Sequence, residues 1–220
     1  MYSLVVENIK CIIAAGGLGT RLQEFRGNKS TKILLDVNGS PMINRQISQL
    51  VNWGMRKFVI ITNPEYFNMI QEVTLGEFKD LEIEFTIQEE PKGISHALYQ
   101  AKDYVDENEK IFFVSFSQGT MMALYHLCKR ELKCGGLVGF SGLLFEDESF
   151  DKDVLSKFPI TLYHGKNDEV INYEFTKKAY EKLNKLGFEI NYNLSELLGH
   201  GIDEKGISIG ESFIKKFFYI

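Results

Sequence analysis

The sequence predicts a three-layer α/β fold, doubly wound around a mostly parallel sheet of about seven strands. Short apolar runs alternate with amphipathic helical stretches from one end of the 220-residue chain to the other. Glycine and polar turn residues punctuate them, as at Asn38-Gly39 and Gly54. No repeat, low-complexity tract or linker interrupts the alternation, so residues 1–220 read as a single continuous domain.

CIIAA at 11–15 is an apolar run that ends in Gly16-Gly17-Leu18-Gly19-Thr20, a strand feeding a glycine-rich loop. Residues 23–31 are polar and read as an exposed loop, and Asn38-Gly39 marks a turn. A helix is expected from Pro41 to Trp53, stopped by Gly54. Strand 57–63 (KFVIITN) and a helix over 65–76 follow, then an alternating strand at 83–88 and a helix over 94–105. Strand 111–115 leads into a helix over 118–132 and strand 136–140. The acidic stretch 145–157 reads as a surface loop. Strand 160–165, a Lys- and Glu-rich helix over 172–186, strand 189–197 and a final helix over 203–217 complete the chain.

Composition excludes several classes of function. A net charge of −5 without a basic cluster argues against nucleic-acid binding. The N-terminal MYSLVVENIK carries Glu7 and too short an apolar run for a signal peptide or membrane span, so a cytoplasmic protein is expected. Cys11, Cys128 and Cys134 sit in or beside apolar segments without metal-ligand spacing and read as buried, reduced thiols. His96 and His126 fall in expected helices without ligand partners, and His164 at a strand end reads as structural. Neither a metal nor a cofactor is expected.

The stretch that carries chemistry is KIFFVSFSQG, 110–119. Ser115-Phe116-Ser117-Gln118-Gly119 is a G-x-S-x-G nucleophile elbow with serine at its first position. Small residues flank Ser117 because the chain must turn sharply from strand into helix, leaving the hydroxyl at the helix N-terminus. Asp168 and His200 follow downstream, in the Ser…Asp…His order of α/β-hydrolases.

From residue 111 onward the chain resembles the phospholipase/carboxylesterase branch of the α/β-hydrolases, which includes acyl-protein thioesterases. The resemblance rests on SFSQGTMMAL (115–124), VGFSGLL (138–144), ITLYHGKNDEVI (160–171) and LLGHGID (197–203). It implies Ser117 as nucleophile, His200 as general base and Asp168 as the residue that orients the imidazole. The Gln118 N–H would be one oxyanion donor; the second is expected, apart from that resemblance, from an N–H of Gly16, Gly17 or Leu18, with Gly17 put first. The substrate would be a small carboxylic ester or an acyl thioester.

Residues 1–110 resemble instead the nucleotide-binding half of sugar-phosphate nucleotidyltransferases, through IIAAGGLGTRL (12–22), STKILLDVNGSPMI (30–43) and QEEPKGISHAL (88–98). By that resemblance Gly16, Gly17, Gly19, Thr20, Arg21 and Lys32 would handle phosphate, and Gln88 and Gly93 would lie beside a base. The Gly-Asp with which that family holds magnesium is replaced by Phe116-Ser117, and no acid occurs between Lys110 and Lys129, so nucleotidyl transfer is not expected. If both resemblances hold in one sheet, its strand order is 83–88, 57–63, 11–15, 111–115, 136–140, 160–165, 189–197, with the ligand crevice between 11–15 and 111–115. Three readings stay open: a serine hydrolase, a non-catalytic nucleotide-binding module, and a recombined protein without selected activity.

Overall fold

The computed structural model describes residues 9–17, 31–106, 111–131 and 134–218. The chain divides into two compact units, Met1–Glu107 and Asn108–Ile220. The first holds strand β1 (Lys10–Ala14), the short strands β2 (Asp36–Val37) and β3 (Ser40–Pro41), and helix α1 (Met42–Asn52). Strand β4 (Lys57–Thr62), helix α2 (Phe67–Glu77), strand β5 (Glu82–Ile87) and helix α3 (Ile94–Tyr99) follow. The second unit holds β6 (Ile111–Phe116), α4 (Gln118–Cys128), β7 (Cys134–Phe140), β8 (Ile160–Gly165), α5 (Tyr173–Lys185), β9 (Ile190–Ser195) and α6 (Glu204–Phe218).

In the first unit the parallel ladder runs β1-β4-β5, with Ala14 beside Ile61 and Thr62 beside Ile87. Strand β4 is buried on both faces, as its unbroken apolar run requires. Phe58 and Ile60 pack with Ile43 and Ile47 of α1 and Ile70 of α2, whereas Val59 and Ile61 pack with Ala97 and Ala101 on the other side. That alternation makes three layers. The turn expected at Asn38-Gly39 joins antiparallel β2 and β3, with φ of 53° and 81° at its two central residues. Both values suit a type I′ hairpin, which asparagine and glycine tolerate. Gly54, at φ 97°, stops α1 as expected and donates its N–H to the Val51 carbonyl (2.9 Å).

In the second unit the parallel order is β6-β7-β8-β9. Leu137, Ile160, Leu162 and Ile190 face α4 and α5 through Leu124, Leu127, Ala179 and Leu183. Val138, Phe140 and Tyr163 face α6 through Phe213 and Ile214. Strand β6 is the edge of this four-stranded sheet and leaves Ile111, Val114 and Phe116 exposed.

The expected strand order holds within each unit. Among the described residues the ladders form one three-stranded and one four-stranded parallel sheet beside the β2–β3 pair, and pairing of strand 11–15 with strand 111–115 is not among them. Two helices end earlier than expected. The stretch 94–105 is helical only to Tyr99, followed by a 3-10 turn at Lys102–Tyr104, and α4 stops at Cys128. The Leu155 and Ser156 amides take up the Cys128 carbonyl from outside the helix. Burial pushes the Cys11 and Cys128 thiols up to about 12 and Cys134 to about 11, so all three stay protonated at neutral pH. None of the described helices is long and apolar enough to cross a membrane.

Candidate active site

Strand β6 delivers its last residues against β7, and the Ser117 N–H extends that ladder with a 2.8 Å bond to the Phe140 carbonyl. Ser117 then turns at φ 53°, ψ −119°, a conformation that L-residues rarely adopt, and α4 begins at Gln118. A non-glycine residue held there costs about 1–3 kcal/mol and persists only where its surroundings impose it. Much of that imposition comes from Thr120, which is fully buried. Its hydroxyl lies 2.9 Å from the Phe140 carbonyl and 3.0 Å from the Ser115 carbonyl, and Ser115 Oγ is 3.2 Å away. Space for Thr120 exists only because Gly139 and Gly142 lack side chains: a Cβ at either would come within 2.6 Å of it. The small residues around the elbow thus serve one threonine that motif reading passes over.

Asp168 follows β8. Its Oδ1 accepts the amides of Val170 (2.9 Å) and Ile171 (2.8 Å), which locks the carboxylate at the mouth of the turn. Its Oδ2 accepts from His200 Nδ1 at 2.7 Å, and the side chain has no solvent exposure. Burial alone pushes this carboxyl up. The hydrogen bonds from the Ile171 amide, His200 and the Val170 amide outweigh it and hold Asp168 below the ordinary carboxylate value, so it stays ionised.

His200 sits in the connection between β9 and α6. That connection is tied to the end of β8 by Lys166 N–H to the Ser195 carbonyl (2.8 Å) and Asn167 N–H to the Leu198 carbonyl (3.0 Å). Gly165 permits the close approach, since a Cβ there would strike the Leu198 and Gly199 carbonyls. Asp203 closes the connection from the other side, accepting from Tyr163 Oη (2.7 Å), Ser195 Oγ (3.0 Å) and the Gly206 amide (2.8 Å). So held, His200 presents Nε2 to Ser117 Oγ at 3.1 Å, and the Phe116 ring lies against the imidazole at 4.8 Å.

Ser117, His200 and Asp168, 83 and 32 residues apart along the chain, therefore form one hydrogen-bonded line. The orientation is chemically directional. Asp168 Oδ2 can only accept, so His200 Nδ1 carries a proton and Nε2 is free to take one from the serine. Gln118, the expected oxyanion donor, is the first residue of α4, where backbone N–H groups have no partner within the helix. His164, read from the sequence as structural, also touches Asp168 Oδ2, at 2.9 Å.

The positions expected to handle phosphate belong to the other unit. Gly19, Thr20 and Arg21 lie outside the described residues. Gly16 has a packing reason for being glycine, since a Cβ would sit 3.1 Å from the Thr62 carbonyl carbon. Asn63 Nδ2 donates to the Gly16 carbonyl at 2.9 Å, and Thr31 Oγ1 donates to the Gly17 carbonyl at 3.0 Å. Lys32 opens a 3-10 turn and is exposed. Gly16 and Gln88 do line one cavity of about 240 Å³, with Asn63, Pro64, Glu65 and Glu89. Gln88 Nε2 is engaged by the Gly93 carbonyl (3.1 Å) and His96 Nδ1 (3.0 Å).

Among curated proteins, the chain is 31% identical over 100 residues to UTP–glucose-1-phosphate uridylyltransferase AglF of Haloferax volcanii, covering 46% of this chain and 40% of that protein. It is 34% identical over 114 residues to acyl-protein thioesterase 1 of Candida albicans, covering 49% of each. The chain thus spans half or less of the length of these two relatives. Among solved structures, esterase PE8 superposes with a TM-score of 0.55 at 20% identity, over 96% of this chain and 93% of that one, a likeness of fold. The chain accordingly resembles both a nucleotidyltransferase and an acyl-protein thioesterase, as its motifs indicate. A model of the Phospholipase/Carboxylesterase family matches residues 57–218, starting upstream of the position, 111, at which the hydrolase motifs become legible. With that span containing Ser117, Asp168 and His200, the chain belongs to the phospholipase/carboxylesterase family.

Proposed function

We propose that the protein is a serine hydrolase of small carboxylic esters or acyl thioesters, with Ser117 as nucleophile, His200 as general base and Asp168 as its orienting acid. The observation that carries this reading is the 3.1 Å contact between Ser117 Oγ and His200 Nε2, continued by the 2.7 Å bond from His200 Nδ1 to Asp168. Serine is a weak nucleophile at neutral pH and needs a base aimed at its proton. As Oγ attacks the substrate carbonyl carbon, its proton passes to Nε2. Negative charge gathers on the carbonyl oxygen, where the Gln118 N–H stabilises it. The imidazolium then protonates the departing alcohol or thiol, leaving an acyl-enzyme. Water, deprotonated by the same Nε2, releases the carboxylic acid and restores Ser117.

A fluorophosphonate probe reacts with an activated serine and ignores an ordinary one. The expected result is labelling of the folded protein that disappears in both Ser117→Ala and His200→Ala, with ester turnover lost in parallel. A folded protein that does not label refutes the reading. A second reading, a nucleotide-binding module, draws on the cavity beside Gly16 and Gln88 and on the likeness to AglF. Saturable nucleotide binding that is lost in Arg21→Ala or Lys32→Ala supports it.

A further inference from the structure

Asp168 Oδ2 serves two histidines. His200 Nδ1 lies 2.7 Å away and His164 Nε2 2.9 Å away, and His164 is fully buried. His164 Nε2 also faces the Ile171 carbonyl at 2.9 Å, so both neighbours of this nitrogen are acceptors and it must carry a proton. On the opposite edge of the ring, Nδ1 meets Thr176 Oγ1 of α5 at 2.5 Å, and that hydroxyl also contacts the Gly142 carbonyl, in the loop that follows β7. A chain of contacts therefore runs from α5, through Thr176 and His164, into the carboxylate that orients the proposed base. Burial holds the His164 ring below the ordinary histidine value despite its contact with Asp168.

We infer that His164 is a positioning residue for the proposed hydrolysis: its N–H fixes the Asp168 carboxylate so that Oδ2 meets His200 at the angle that keeps Nε2 aimed at Ser117. The inference rests on the triad reading above. Beside the two peptide amides on Oδ1 and His200 on Oδ2, His164 is the fully buried side chain that also meets this carboxylate. A purely structural histidine would need only some polar partner. This one shares its N–H between the Ile171 carbonyl and the carboxylate that the base depends on.

The test compares His164→Phe, which fills the site and removes both ring bonds, with His164→Gln, which keeps an N–H donor near the Nε2 position. The expected result in the full chain, with a p-nitrophenyl ester, is a fall in kcat of about 10- to 100-fold for His164→Phe, the loss associated with one hydrogen bond to a charged group. KM should stay within about twofold, because His164 does not touch substrate, and His164→Gln should recover most of the loss. If His164→Phe does not fold, Thr176→Val withdraws the ring's anchor without altering Asp168 and should lower kcat severalfold. A labelling, active wild type whose kcat survives His164→Phe, or Thr176→Val in its place, overturns the positioning role alone. So does a kcat loss that His164→Gln fails to recover. A wild type that neither labels nor turns over ester overturns the triad reading and takes the positioning role with it.

Discussion

Asp168→Asn changes almost no volume, yet it reverses the polarity of the site. In the wild type, Oδ1 accepts two peptide N–H groups at 2.9 and 2.8 Å, and Oδ2 accepts two imidazole N–H groups at 2.7 and 2.9 Å. Asparagine offers one acceptor and one donor. Turning its NH2 toward the Val170 and Ile171 amides would set donor against donor twice, at about 1–3 kcal/mol for each unsatisfied buried group. The amide oxygen therefore stays on the peptide N–H groups and the NH2 faces the two rings. His200 Nδ1 must then accept, its proton moves to Nε2, and Nε2–H points at Ser117 Oγ across 3.1 Å with no lone pair to receive a proton. A wrong tautomer in an otherwise intact triad lowers kcat about 10⁴-fold, equivalent to about 5.5 kcal/mol of barrier. The assay is kcat and KM on a p-nitrophenyl ester together with the fluorophosphonate labelling rate, in protein whose urea transition shows it folded. Both rates should fall together with KM little changed. A folded Asp168→Asn protein retaining a tenth of wild-type kcat would refute the tautomer argument.

Two further outcomes follow from the geometry. Ser117 is held at φ 53°, which glycine adopts freely and alanine does not. Ser117→Gly should therefore be more stable than Ser117→Ala by about 1 kcal/mol in urea unfolding, and equal stability would show that the elbow is unstrained. Acid should destabilise the fold in two stages. His164 has a depressed value in the folded state, so below its ordinary 6.5 the unfolded chain takes up a proton that the native protein refuses, and stability falls. Asp168 is also depressed, so its contribution is complete above 3.8 and is lost only as pH falls through its lower folded value. Urea midpoints measured downward from pH 7 should decline first below about 6.5, and His164→Gln should remove that first stage while leaving the second.

Much of this protein is legible in one dimension because its signals are local. The unbroken apolar run of β4 marks a strand buried on both faces, Asn38-Gly39 marks a hairpin, and Gly54 marks a helix end, each through the conformational limits of its own few residues. Small residues around Ser117, and the order Ser117, Asp168, His200, likewise announce an elbow and its partners. The sequence could not announce what depends on surfaces meeting across the chain. Thr120 reads as an ordinary helical residue until Gly139 and Gly142 leave it room beneath the elbow. His164 reads as a buried strand end, and its second acceptor, Asp168 Oδ2, emerges only when the turn after β8 folds back. Nothing in the residues around Asp203 marks it as the acceptor for Tyr163, 40 residues away. A side chain's local preferences are written in its neighbours along the chain, whereas which nitrogen of an imidazole bears a proton is decided by acceptors that tertiary packing brings to it.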